Sequence, residues 1–151
     1  MDRRKIVEQI LSELRRNPVE DCVLELLPDH EILLILEQAF RSELNAGVRY
    51  NIIENIVGLV GQGRASTAMP ILVEALYDES PWVWKKALDG LVFLDQPECV
   101  EAIEAARNRP FRRVKDSKYF QEYLDEAIKQ LREGVYGEKK APFPAPDIAE
   151  D

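Results

Sequence analysis

Residues 68 to 94 read AMPILVEALYDESPWVWKKALDGLVFL, and the spacing of their apolar side chains predicts two short helices folded back on one another across a turn at Asp78 to Pro81. Ile71, Leu72, Ala75 and Leu76 share one face at helical spacing, as do Val83, Ala87, Leu88, Leu91 and Leu94 in the second segment. Ser80 before Pro81 marks a helix start: serine offers a capping oxygen, and a first-turn proline gives up an amide hydrogen that has no intrahelical partner. Pro70 belongs in a first turn for the same reason.

The same unit recurs on both sides. Leu34, Ile35, Leu36, Glu37 and Phe40 align with Ile71, Leu72, Val73, Glu74 and Tyr77. Val48, Ile52, Ile53, Glu54, Ile56 and Leu59 align with Val83, Ala87, Leu88, Asp89, Leu91 and Leu94. Pro97 to Arg107 restates the first helix, and Phe120, Leu124, Ile128 and Leu131 restate the second after a long loop. Asp125 then stands where Leu88 stood, a misfit that suits a terminal repeat with a polar outer face.

VRYNIIENIVGLVG (Val48 to Gly61) followed by AMPILVEAL resembles the HEAT-like repeat of the phycobilisome-lyase type, in which a "VR" helix, a turn of small residues and an "A-x-P-x-L" helix follow one another. The likeness covers about Glu31 to Arg107 well and the two ends loosely. It implies an α-solenoid used as a binding scaffold, with bilin-lyase or DNA-repair chemistry in a few members. It also implies that the second helices line a concave side, exposing Tyr50, Asn51 and Glu54 in one repeat and Lys85, Lys86 and Asp89 in the next. Trp84 departs from the pattern, standing where the family has arginine and where Arg49 stands one repeat earlier.

The expected fold is therefore all-α: a short solenoid of about four antiparallel helical hairpins over residues 1 to 136. A proline-spaced tail, 137 to 151, carries no periodicity and is expected to be disordered, with Phe143 a candidate docking residue. Upstream, helices are predicted over about Asp2 to Arg15, Pro18 to Leu27, His30 to Glu43 and Ala46 to Val60. Asn17, Pro18 and Glu20 form a capping-box pattern for the second of these, and Asp29 is placed to cap the third. The last helix is expected over about Lys118 to Glu133.

With 151 residues, the chain is long enough to bury roughly 70% of its unfolded surface. Its 46% apolar and 32% charged composition is globular, and no metal or disulfide is needed to fold it. Cys22 and Cys99 both sit on apolar helical stripes and are read as buried, reduced thiols, which points to a cytoplasmic protein. MDRRKIVEQILSEL is an amphipathic helix, not a signal peptide, and no apolar run approaches the ~20 residues that span a membrane. A net charge of −8 disfavours wrapping nucleic acid, which needs a basic surface to neutralise phosphate.

Catalytic chemistry finds little support. His30 is the sole histidine, so two-histidine zinc chemistry is excluded, and the cysteines lack the paired spacing of a structural zinc site. Gly61, Gly63 and Ser66 superficially match a phosphate-cradling loop, but a helix enters it where that motif requires a strand, so an inter-repeat turn is expected.

Binding residues are better candidates. Trp82 and Trp84 flank core-facing Val83 on opposite sides, so both cannot be fully buried. Either an exposed indole anchors a partner or it seals the joint between repeats. Across adjacent hairpins Tyr50, Glu54, Trp82, Trp84, Lys85 and Asp89 form the expected partner-binding set, with Lys85 and Asp89 spaced to pair. Arg107, Arg109, Arg112, Arg113, Lys115 and Lys118 gather around Pro110 and Phe111 with Asp116 as the one acid among them. This loop either grips an anion or simply offsets an acidic body. The expected function is non-enzymatic, without cofactor: a monomeric scaffold of immunity or adaptor type that holds a protein of basic character. Tetrapyrrole handling and nucleic-acid binding through the 107 to 118 loop are the alternatives.

Overall fold

The structure is a computed structural model that describes residues 2–134; the tail expected at 137 to 151, including Phe143, lies outside the described residues. Among the described residues eight helices form and no strand does, so the protein is all-α. The chain divides into two compact units, Met1–Leu94 and Asp95–Asp151.

In the first unit, α1 (Arg3–Leu14) begins at Asp2, whose carboxylate accepts from the Lys5 amide, and buries Ile6, Ile10 and Leu14. The capping box at Asn17 does not form. Residues 18 to 20 stay extended, and α2 shrinks to Asp21–Leu24 after Glu20, which makes no side-chain cap. The reason is tertiary: Val19 is drawn into the interior, where its N–H donates to Asn55 Oδ1 at 2.8 Å and its carbonyl accepts from Asn55 Nδ2 at 2.9 Å. α3 (Asp29–Ser42) has Pro28 at its cap position, and Asp29 falls inside the first turn instead of capping it. There Asp29 accepts from Arg64 Nε at 2.8 Å. Cys22 is exposed, contrary to expectation, because a four-residue helix has no continuous buried stripe for it to join.

The centre of this unit is α4 (Ala46–Gly61), which packs on α1, α3 and α6. Its Ile52, Ile53, Ile56 and Leu59 are buried, as are Ala87, Leu88 and Leu91, their counterparts on α6 (Pro81–Leu94). α5 (Met69–Ala75) supplies Ile71 and Leu72 to the same core and packs on α6. Helix α6 comes so close to both neighbours that a Cβ on Gly90 would stand 2.8 Å from Val57 Cγ2 and 3.0 Å from Leu72 Cδ1. The α4 to α5 turn is the expected glycine turn: Gly63 adopts φ 74, a backbone that L side chains rarely take.

Asn51 and Asn55, one helical turn apart on α4, both hold the N-terminal segment. Asn51 Nδ2 donates to the Leu14 carbonyl at 3.0 Å, satisfying an orphan acceptor at the end of α1. Asn51 is therefore a half-buried structural residue, not an exposed groove position. Arginines add bridges between segments distant in sequence: Arg3 to Glu31, Arg15 to Glu43, Arg41 to Glu74, Arg49 to Asp78 and Arg64 to Asp29. For Glu43, burial pushes the carboxyl up, but hydrogen bonds from the Asn45 amide and Arg15 outweigh it and leave the net shift downward.

In the second unit α7 (Glu98–Ala106) packs on α8 (Val114–Glu133). Cys99 is buried as expected, and that burial raises its thiol above the usual range. α8 starts at Val114, well before the expected Lys118, because extended Arg113 turns its carbonyl toward the Asp116 and Ser117 amides. Its guanidinium also meets Asp116 at 2.9 Å, and an acid in the first turn suits the helix dipole.

Candidate partner-binding groove

The side chains that start α4 and α6 form an open, mostly apolar groove of about 300 Å³ lined by Ala46, Gly47, Tyr50, Ser80 and Trp82. The alignment of the two helix sequences, 35 residues apart, matches its lining residues. Asn45 and Ser80 occupy matching positions before the two helices, so Gly47 stands where the next repeat carries Trp82. One helix omits its side chain at this level and the other presents the largest available. A Cβ on Gly47 would approach the Asn45 side chain at 3.1 Å and no other atom within 4 Å.

The two lips are held in register by Arg49. Its guanidinium donates to both Asp78 oxygens, at 2.7 and 3.1 Å, and to the Leu44 carbonyl at 2.9 Å. Asp78 Oδ1 in turn accepts from the Ser80 amide at 2.9 Å, so one carboxylate orients the turn that carries Trp82. This fork is largely shielded, with 18% of the Arg49 and 7% of the Asp78 side chain accessible, and the bond to Asp78 raises the Arg49 pKa.

Trp82 is 73% exposed and Trp84 is 2% exposed. Trp84 therefore belongs to the core and not to the partner-binding set, while its neighbour two residues earlier faces solvent. The aromatic that shares the groove with Tyr50 is Trp82, not the expected Trp84. Leu44, 94% exposed in the turn just before α4, adds an apolar side chain beside this end of the helix.

The charges expected here fall around the aromatics. The Tyr50 hydroxyl donates to the Glu54 carboxylate, and that bond, with burial and the charges of Glu54 and Asp89, pushes its pKa up to about 12. Asp89 pairs with Lys86 at 3.8 Å. Burial of the Asp89 carboxyl raises its pKa, tempered by Lys86 and by solvent, since 60% of the side chain is accessible. The Lys85 ammonium lies 5.8 Å from the Trp82 ring centre, at the outer edge of cation–π range.

In the second unit the basic cluster divides into engaged and available members. Arg107 caps α7 and is fixed by Glu104, Gln121 and Asp125, the last at 2.6 Å. Arg109 stacks its guanidinium 4.4 Å from the Phe111 ring centre and 5.2 Å from that of Phe120. Arg113 is bound to Asp116. Lys115 and Lys118 lie on α8, outside the loop. Arg112, Lys115 and Lys118 are exposed and have no ion-pair partner among the described residues. Much of the acidity expected on the first helices of the hairpins is likewise engaged: Glu43, Glu74, Asp78 and Glu104 each meet an arginine.

Among the described residues no group of histidine, cysteine and acidic side chains is arranged to hold a metal, and no helix is long and apolar enough to cross a membrane. His30 is exposed at the start of α3. The chain matches no family model, no curated protein and no solved structure.

Proposed function

We propose that this protein is a non-enzymatic scaffold of HEAT-like helical repeats, of adaptor or immunity type, that holds a basic protein segment by one apolar side chain inserted between Gly47, Tyr50 and Trp82. The observation that carries this reading is Trp82, 73% exposed at the wall of an apolar groove. Exposed tryptophans beside apolar recesses are the usual energetic anchors of protein interfaces. A volume of about 300 Å³ lies at the lower limit of small-molecule pockets and suits a single aromatic or branched side chain better than a tetrapyrrole. Glu54 supplies negative charge beside Tyr50, so lysine or arginine flanking the anchor speeds encounter and selects the partner.

A displayed library of random 12-residue peptides, panned against the full chain, tests this. Selected sequences should combine one large apolar residue with flanking lysine or arginine. They should lose at least about thirtyfold in affinity against Trp82→Ala, the loss of about 2 kcal/mol expected of a hot spot. Gly47→Leu, which fills the groove from the opposite lip, should abolish binding. Peptides that bind both variants as well as the parent protein would refute the site.

A further inference from the structure

The outward face of the first two turns of α8 carries Val114, Lys115, Lys118 and Tyr119, none of which the groove in the other unit uses. Val114 is 87% exposed, an unusual position for a β-branched apolar residue at a helix start. Tyr119 and Tyr123, both 39% exposed, pack edge to face at 5.0 Å, so the face is rigid as well as apolar. Arg112 precedes the helix, and with Lys115 and Lys118 it makes three cations without an ion-pair partner among the described residues. Farther along, the same face turns acidic at Glu122 and Glu126.

We propose that this face is a second docking surface, and that its partner is a short acidic protein segment bearing one or two aliphatic side chains. Charge decides the sign: three unengaged cations call for carboxylates. The change of sign decides the class. A nucleic-acid strand running along the helix would meet Glu122 and Glu126 within the next two turns and be repelled, in a chain already at −8. A peptide of a few acidic residues ends before that point, and Val114 with the tyrosine pair gives its aliphatic side chains a dry contact. The protein would then carry two interaction surfaces of opposite charge, one on each compact unit.

The probe is a fluorescein-labelled six-residue peptide of aspartate and glutamate with two central leucines, read by fluorescence anisotropy against the full chain. Two control probes are the same peptide with both leucines replaced by serine, and a 12-nucleotide oligouridine. The leucine peptide should bind at least tenfold more tightly than either control. The Lys115→Glu, Lys118→Glu double variant should weaken it at least tenfold, whereas Lys129→Glu, farther along the same helix, should change it less than twofold. Tighter binding of oligouridine, equal binding of the serine peptide, equal loss in Lys129→Glu, or no binding by the leucine peptide would each overturn the proposal. Comparing the leucine and serine probes needs no variant, so the outcome stands even if the charge reversals disturb the fold.

Discussion

Gly90 of α6 lies so close to Val57 of α4 that a methyl group at Gly90 would come within 2.8 Å of the Val57 Cγ2 atom. Val57 is β-branched and stiff, so the contact sets how closely α4 and α6 approach. Gly90→Ala should therefore destabilise the protein by up to about 2 kcal/mol net, overpacking outweighing the helix-propensity gain of about 1 kcal/mol. Gly58 on α4 has nothing within 4 Å of its would-be Cβ, so Gly58→Ala should be stabilising by about 0.5 to 1 kcal/mol. Urea midpoints of the two variants, at unchanged m, should move in opposite directions.

Asn55 is the buried polar residue of the described core, and both hydrogen bonds of its amide go to the backbone of Val19. Asn55→Ala leaves a buried donor and a buried acceptor unpaired and should cost about 2 to 4 kcal/mol. Asn55→Asp keeps the acceptor for the Val19 N–H, loses the donor and buries a charge, so it should be rescued in part at acid pH, where the carboxyl is neutral. Equal stability of Asn55→Asp across pH 4 to 8, followed by urea unfolding, would count against this bonding.

The two indoles should separate cleanly by fluorescence, since the chain has no other tryptophan. Trp82→Phe should leave a blue-shifted emission from Trp84 that acrylamide quenches poorly. Trp84→Phe should leave a red-shifted, readily quenched signal from Trp82. Trp84→Ala should also lower stability by about 3 to 5 kcal/mol, whereas Trp82→Ala should leave the urea midpoint nearly unchanged.

A tyrosine whose pKa is raised to about 12 stabilises the fold fully below its ordinary value of 10.0 and loses that contribution as pH climbs through 12. Ultraviolet titration of tyrosinate should therefore show a late alkaline phase that Tyr50→Phe deletes. Glu54→Gln should bring the phase back toward 10.0, because it removes the charge that holds the phenol protonated. A phase unmoved by Glu54→Gln would mean that burial and the Asp89 charge set it.

Helix type and most helix faces were legible because apolar spacing is a local property: Val48, Ile52, Ile56, Val83, Ala87 and Leu91 are all buried where their period places them. Proline at Pro81 and glycine at Gly63 mark a start and a turn for equally local steric reasons. What failed was decided by distant residues. The capping box at Asn17 lost to the pull of Asn55 on Val19, and no local pattern announces a partner that far along the chain. Asn55 itself left a signal, a lone amide inside the run IIENIVGLV (Ile52 to Val60). The alternation of Trp82 and Trp84 showed that one indole must face outward, but which one depends on the helices packed around α6. The groove was half legible, for aligning the repeats already sets Gly47 against Trp82.

The bond between Val19 and Asn55 has a further consequence on the ribosome. The two residues are 36 positions apart, so at about 5 to 20 residues per second Asn55 emerges roughly 2 to 7 s after Val19. Through that interval the Val19 amide and carbonyl and the Leu14 carbonyl have only water for partners. The Val19 segment is thus made well before α4 and is secured only once α4 has followed it out.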